Sequence, residues 1–216
     1  RKSLSLLEAT FKTKQERALV HSLFDRMDQA NSWELEHTRF KVNRTRVHIA
    51  QIPEYGDLSI LSDRATGHII APLCLARRNN FTQSEQQTLQ QSLHHYLVAR
   101  QLNDDLHDWQ EDIANGQCTY IVAELLRGAN VQPGSYSHVE IIKTLKRHFW
   151  NHGFAQLSRV ALTHIETAQT MFKNIEILHD DAELLQFFKL IENSLIEARI
   201  RFKEKQEFLN GFKSSN

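Results

Sequence analysis

Apolar residues recur at helical intervals along most of this chain. Leu4, Leu7, Phe11, Ala18, Leu23 and Met27 predict a first helix that the Asn31-Ser32 pair should end. Residues 33–58 are the least regular. Phe40-Lys41-Val42 and Thr45-Arg46-Val47-His48-Ile49 alternate with period two around Asn43-Arg44, a short hairpin or a frayed helix, and Pro53 and Gly56 close it. Ser59 to Arg78 predicts a compact apolar helix, kinked at Pro72 and ending before Asn79-Asn80. Thr82, with Glu85 three residues on, makes a capping box, and the run behind it lacks Gly and Pro as far as Gly116. That predicts one helix of roughly 50 Å. Thr119 to Arg127 continues as a short apolar helix, and Gly128 to Ser137, with Pro133-Gly134, reads as a loop. Two long helices close the chain, over 138–175 and 181–212. On the last, Leu184, Phe188, Ile191, Leu195, Ala198 and Phe202 lie four and three apart, the spacing of a packed seam. The expected fold class is all-α: an antiparallel helical bundle, with residues 1–216 as a single domain.

Composition narrows this further. The 216 residues include 7 Gly and 3 Pro, against about 15 and 11 at average usage. Such sparse punctuation disfavours a β-sandwich or a Gly-rich nucleotide-binding fold. Lys and Arg total 26, as do Asp and Glu, so no net field points to nucleic acid. Cys74 and Cys118 are too far apart for a redox or zinc motif and suit a reducing, cytoplasmic setting. Ile69 to Ala76, the longest apolar stretch, is interrupted by Pro72 and far too short to span a bilayer. Arg1-Lys2-Ser3 leads into no secretory signal, and a start at Arg suggests a processed or truncated piece.

Charge changes the picture locally. Gln101-Leu102-Asn103-Asp104-Asp105-Leu106-His107-Asp108-Trp109-Gln110-Glu111-Asp112 packs five carboxylates into nine residues, 104–112. On a helix Asp104, Asp108 and Asp112 are successive i, i+4 neighbours, flanked by Asp105 and Glu111. Like charges at that spacing repel unless a cation neutralises them, and oxygen ligands without Cys favour a hard ion, Mg²⁺ before Mn²⁺ or Ca²⁺. Mg²⁺ held by one or two carboxylates keeps positions open for phosphate oxygens. The alternative is a solvated acidic face. Against it, Leu97, Val98, Leu102 and Ile113 flank the stripe, Trp109 lies inside it, and no Lys or Arg occurs between Leu102 and Leu126.

These residues resemble the second aspartate-rich motif of the class I isoprenoid synthase superfamily: trans-prenyl diphosphate synthases, squalene and phytoene synthases, and class I terpene cyclases. Gln101 to Asp108 is similar to the prenyl synthase pattern of Gln, two residues, then Asp-Asp-x-x-Asp. Asp108 to Asp112 is similar to the Asp-x-x-Glu-Asp of the squalene and phytoene branch. Asp104, Asp108 and Asp112 have the spacing of the terpene cyclase metal triad, so the motif does not choose among branches. Upstream, Ala65-Thr66-Gly67-His68-Ile69-Ile70-Ala71-Pro72 resembles the Lys-Thr-Gly helix start. Downstream, Asp112 to Tyr120 resembles the acidic, Gly-Lys-x-Thr-x-Pro segment. The resemblance covers residues 60–126. Ala65 stands where the family has its diphosphate-binding lysine, with Arg64 adjacent. Gln117 stands at the second lysine and Tyr120 at the proline. No first aspartate-rich motif lies upstream, Asp25 and Asp28 being the nearest approach.

The resemblance implies a bundle of the isoprenoid synthase type, incomplete at the N-terminus, and a Mg²⁺-dependent prenyltransferase or terpene synthase-like enzyme of isoprenoid biosynthesis acting on an allylic prenyl diphosphate. It implies Asp104, Asp105 and Asp108 as catalytic residues, Asp104, Asp108 and Asp112 as metal ligands, and Arg64, Thr66, Gln101 and Gln117 at the substrate. Phe149, Trp150, Phe154, Phe187 and Phe188 are candidates to line a dry cavity for an allylic cation. The implied partners are the small-molecule diphosphate and either a second copy in a homodimer or an N-terminal half carrying the first motif, with no nucleic acid and no membrane span. The missing motif and lysines imply the alternative, a catalytically inactive interaction or regulatory domain on the same fold. Among weaker features, His148 and His152 have an i, i+4 spacing that suits zinc but lack a third ligand. Asp180-Asp181 reads as a helix N-cap. Arg199, Arg201, Lys203 and Lys205, interleaved with Glu197, Glu204 and Glu207, read as a solvated face.

Overall fold

A computed structural model describes residues 11, 13–178 and 182–214; of the last helix, the side chains at 184, 206 and 208–214 are not described. Helix α1, Lys14–His37, starts on a Thr13 capping box closed by Glu16, whose buried carboxylate also takes Arg78 Nε at 2.6 Å. The helix runs through Asn31 and Ser32, where the sequence predicts a stop. Ala30, fully buried, and Trp33, edge-on to Tyr55 at 5.2 Å, anchor that last part against the core. It ends at Thr38, whose hydroxyl and N–H both donate to Glu34 O. Leu4 and Leu7 of the predicted helix lie outside the described residues.

The irregular stretch is a hairpin. Strands β1, Lys41–Val42, and β2, Arg46–Ile49, pair antiparallel, and Asn43 Oδ1 accepts the Thr45 and Arg46 N–H groups to make the turn. A third strand, β3 at Gly134–Ser137, pairs with β2 from Arg46↔Ser137 to Ile49↔Gly134, where the sequence reads as a loop. Its ladder partner lies far away in sequence, so local pattern alone does not reveal it.

Ser59 to Arg78 breaks at Arg64–Ala65 and not at Pro72. Helix α2, Ser59–Asp63, is followed by a 3₁₀ turn, Thr66–Ile69, and helix α3, Ile70–Arg78. Pro72 falls in the first turn of α3, where a missing N–H costs no intrahelical bond. Helix α4, Gln83–Ala114, has the predicted Thr82–Glu85 capping box. It is the axis of the molecule. Its one side packs into a core with Trp109, Leu102 and Ile113, and its earlier turns into a second core with Leu89, Leu97 and Ala99.

Helix α5, Tyr120–Gly128, is capped by Thr119. The predicted 138–175 helix is helix α6, His138–His148, a π-helical turn at Phe149–Gly153, and helix α7, Phe154–Lys173. A Cβ on Gly153 would come 2.7 Å from Leu125 Cδ2, so the wide turn sits close to α5 because that residue is glycine. Helix α7 runs antiparallel to α4 and is its most extensive partner. Ser92, Ala99, Ala161 and Ala168, all fully buried, let the two backbones approach, and Ser92 Oγ donates to Ala168 O at 2.7 Å. The final helix, α8, Ala182–Ser214, runs parallel to α4. Phe188 and Leu195 are buried, and Ser194 Oγ donates to Asn103 Oδ1 at 3.2 Å. Leu184 of the predicted seam and the Asp180-Asp181 cap lie outside what is described. Arg201–Glu197 and Lys203–Glu207 are exposed i, i+4 pairs, as a solvated face requires.

The bundle is therefore predominantly α-helical with one small sheet against its side. Among the described residues no helix is long and apolar enough to cross a membrane. Gly116 ends α4 at φ +75°, and its carbonyl accepts Phe40 N–H at 2.8 Å. A Cβ there would meet Phe40 O at 2.7 Å. We expect Gly116→Ala to lower stability by about 1–3 kcal/mol through the left-handed backbone and the carbonyl clash. Urea unfolding checks this, and a loss below about 0.5 kcal/mol refutes it.

Candidate functional site

At 100° per residue, Gln87, Gln91, His94, Val98, Gln101, Asp105 and Asp112 lie within about 40° of one line down α4. Asp105 is buried and Asp112 half-buried, whereas Asp104 and Asp108 are exposed. The inward carboxylates are thus Asp105 and Asp112, seven residues apart, and not the Asp104–Asp108–Asp112 line that the i, i+4 count picks out. Asp108 lies beside Asp112 on its solvent side, and Asp104 is farther round the helix.

Gln101 Nε2 donates to Asp105 Oδ1 at 2.7 Å and orients that carboxylate. Asp105 Oδ2 is buried and has no hydrogen-bond partner. Burial first, then the charges of Asp112 and Asp104, push Asp105 up to about 7, although Gln101 and Arg64 pull the other way. Burial and the neighbouring Asp108 and Glu111 likewise push Asp112 up to about 6, against the Thr119 hydroxyl, which donates to Asp112 Oδ2 at 3.3 Å, and Arg64.

Arg64, at the end of α2, brings positive charge to this face, acting on Asp105 and Asp112 alike. Its Nε lies 2.7 Å from Glu34 Oε2 on α1, close enough for an ion pair, although the N–H is not aimed squarely at that oxygen. The stripe's one basic neighbour in sequence is Arg100, a turn before Asp104, and Arg64 reaches the inward carboxylates from another helix. Behind it, Tyr55 donates from its hydroxyl to Cys118 O at 2.6 Å, and burial holds both the phenol and the Cys118 thiol protonated.

Of the other sequence-predicted residues, Thr66 is fully buried. Its hydroxyl is directed to the carbonyls of Leu23 at 2.8 Å and Asp63 at 3.0 Å, fastening α1 to α2 and leaving no hydrogen for a ligand. Gln117 closes the loop after α4, donating its N–H to Asp112 O at 2.7 Å and bridging Arg39. Asp25 and Asp28 are exposed. The aromatic candidates stand elsewhere. Phe149 and Phe154 pack with Trp109, Trp150 and Phe202 between α4, α7 and α8, and Phe188 fills the second core against Tyr96 and Phe172. Phe187 is exposed.

Toward the N-terminal end of the same α4 line lies an open cavity of about 610 Å³. Arg26, Ser59, Ser62, Gln87, Gln90, Gln91, His94, His95, Val98 and His164 line it, with Asp57 at its rim; none is Phe, Tyr or Trp. Arg26 pairs with Asp63, and its Nη1 lies 3.4 Å from His94 Nε2. A guanidinium only donates, so Nε2 accepts and the hydrogen sits on Nδ1, which donates to Ser62 Oγ at 3.0 Å. Ser62 in turn donates to Ser59 O at 2.8 Å. Burial and Arg26 lower His94 to about 4 in spite of Asp63, so the ring is neutral at pH 7. His95 and His164 face each other Nδ1 to Nδ1 at 2.9 Å. Burial lowers both, His164 to about 4, so one neutral ring donates to the other.

Compared with known proteins, this chain matches no family model, no curated protein and no solved structure at a significant level. Glu34, Tyr55 and Thr119 belong to the site, yet sequence reasoning assigns them no role. Only Thr119 carries a signal there, falling on the threonine of the downstream motif.

A hard divalent cation is chemically suited to this face. All nearby donors are carboxylate, amide or hydroxyl oxygens, and the unpartnered Asp105 Oδ2 is the kind of buried atom that a cation would satisfy. No three His, Cys, Asp or Glu among the described residues are already gathered to hold an ion. Two protein carboxylates completed by ligand oxygens is the pattern Mg²⁺ favours.

Proposed function

We propose that this chain is an isoprenoid synthase-type helical bundle whose α4 face takes an allylic prenyl diphosphate with Mg²⁺, as in prenyltransferases and terpene synthases. The observation that carries the reading is the buried, unpartnered Asp105 Oδ2, set within a Gln-x-x-Asp-Asp-x-x-Asp sequence and beside Asp112. Asp105 and Asp112 would hold the ion, with Asp108 alongside. Bound Mg²⁺ would supply Lewis-acid neutralisation of the diphosphate leaving group. Gln101 orients Asp105, and Thr119 orients Asp112. Arg64 replaces the family's lysine one position early and offers guanidinium donors to phosphate oxygens. Glu34, on α1, holds that guanidinium in place and supplies negative charge from the facing helix.

A second reading has its own support. Arg64 is already a countercharge for Glu34, Asp105 and Asp112, which is what a non-catalytic domain retaining the fold would keep.

One titration separates them: geranyl thiolodiphosphate, which resists ionisation, added with and without Mg²⁺ to wild type and to Asp105→Asn/Asp112→Asn. The enzyme reading expects Mg²⁺-dependent binding that weakens at least about tenfold in the variant. Equal binding by both proteins, or none by folded wild type, overturns it.

A further inference from the structure

Phe149, Trp150 and Phe154 gather around a different opening, between α4, the π-helical turn and α8. It holds about 360 Å³, toward the small end of the range usual for small-molecule pockets. Leu106 and Trp109 of α4, Phe149 of the turn and Phe154 of α7 wall it with buried side chains, and half-buried Phe202 completes the wall from α8. Leu106, His107 and Gln110, which also line it, lie about 100–200° round α4 from Asp105. The pocket is therefore separate from the inward acid line.

The π-helical turn shapes this wall. Wide turns of that kind recur at functional sites. Here the turn buries Phe149 and leaves Trp150 38% exposed, its ring nearly parallel to that of Phe202.

The charges at the pocket have one sign. Among its described lining residues there is no Asp or Glu, whereas Arg201 and Lys205 both line it from α8, on the solvent side. Arg201 is paired with Glu197 at 3.3 Å, but both side chains are exposed and such pairs are weak. Lys205 Nζ stands 4.5 Å over the Trp150 ring and enters no ion pair among the described residues. Both cations are thus open to an anion. An aromatic wall by itself would also suit a quaternary ammonium, which these two cations repel.

We propose that this pocket takes a free medium-chain fatty acid, with its hydrocarbon tail along the aromatic wall and its carboxylate between Arg201 and Lys205. The tail leaves water for apolar surface, and the head gains charge-assisted hydrogen bonds. Binding here needs no metal and stands apart from the diphosphate reading.

Calorimetric titration of the full chain without Mg²⁺ tests it, using decanoate, decanol and decyltrimethylammonium, each as the dissolved monomer. Decanoate should bind one to one and at least about tenfold more tightly than decanol, with the ammonium compound weaker still. Arg201→Gln/Lys205→Gln, on exposed side chains, should weaken decanoate at least about tenfold and leave decanol within about twofold. Ala198→Phe, at a half-buried position of the lining, should fill the space and abolish binding of both. Decanoate binding no tighter than decanol, or equal decanoate binding by folded wild type and either folded variant, overturns the proposal. So does binding to vesicles of anionic phospholipid with none to monomeric decanoate, which would make this surface a membrane contact.

Discussion

Asp105→Asn should stabilise the protein at neutral and alkaline pH, by about 2 kcal/mol. Asp105 is 5% exposed, and its pKa is raised from 3.8 to about 7. A carboxyl raised on folding contributes stability that is fully present below pH 3.8 and lost as pH rises through 7. Three pKa units at about 1.4 kcal/mol each put the cost of the folded, charged form on the order of 4 kcal/mol above pH 8. Asparagine keeps an oxygen for Gln101 but places an unpartnered NH₂ where Oδ2 was, so only part of that cost is recovered. His94 and His164, lowered to about 4, act with the opposite sign: their contribution is present above pH 6.5 and lost as pH falls through 4. They are common to both proteins and cancel in the difference.

Urea unfolding at pH 4, 5.5, 7 and 8.5 should therefore show a variant-minus-wild-type difference of about −2 kcal/mol at the acid end, where the wild-type carboxyl is neutral and only the unpartnered NH₂ counts. It should climb with pH and level off above 7. A difference that is flat across this range means the carboxyl does not carry the buried charge. Under the proposed function, the same substitution should also weaken Mg²⁺-dependent diphosphate binding. A mutation that gains stability while losing ligand marks a residue kept for its chemistry.

The largest loss is expected at Trp109. Its side chain is 2% exposed inside the larger core, and its ring centroid is 5.4 Å from that of Phe149. Trp109→Ala removes the packed indole and leaves a cavity that the helices around it, α4, α7 and α8, can only partly close, costing about 3–5 kcal/mol. Domains of this size are stable by about 5–15 kcal/mol, so much of the total is at stake. Thermal and urea unfolding followed by circular dichroism measure it, with Trp109→Phe as the control, expected to lose about 1–2 kcal/mol. A loss under about 1 kcal/mol for the alanine would place Trp109 outside the core. The indole lies one residue from Asp108, so the variant also tests whether the stripe depends on packing behind it.

Much of the fold is legible because it is local. Thr82 and Glu85 announce α4, the four-and-three spacing of Phe188, Ile191 and Leu195 marks the inward face of α8, and Asn43 makes the hairpin turn through its own side chain. Misreadings fall where distant contacts decide. Asn31-Ser32 is a fair local stop signal, yet burial of Ala30 and Trp33 carries α1 past it. Strand β3 exists because β2 offers an edge. Pro72 is harmless because the chain has already broken at Arg64–Ala65, which puts the proline in a first turn.

The site divides the same way. The residue order alone establishes a helix carrying five carboxylates between residues 104 and 112, with Arg100 one turn before it and no Lys or Arg after it until Arg127. Counting i, i+4 neighbours groups Asp104 with Asp108 and Asp112, because spacing alone says which residues share a face but not which face is buried. It took the packing of the helices to turn Asp105 and Asp112 inward, to bring Arg64, paired with Glu34 of α1, to them from the end of α2, and to make Thr66 a fastening between helices. The physical reason is that a charge's environment is set by what surrounds it within a few ångströms. Here Gln101 and Thr119 are local, but Tyr55 and Arg64 come from about forty to sixty positions away and Glu34 from more than seventy.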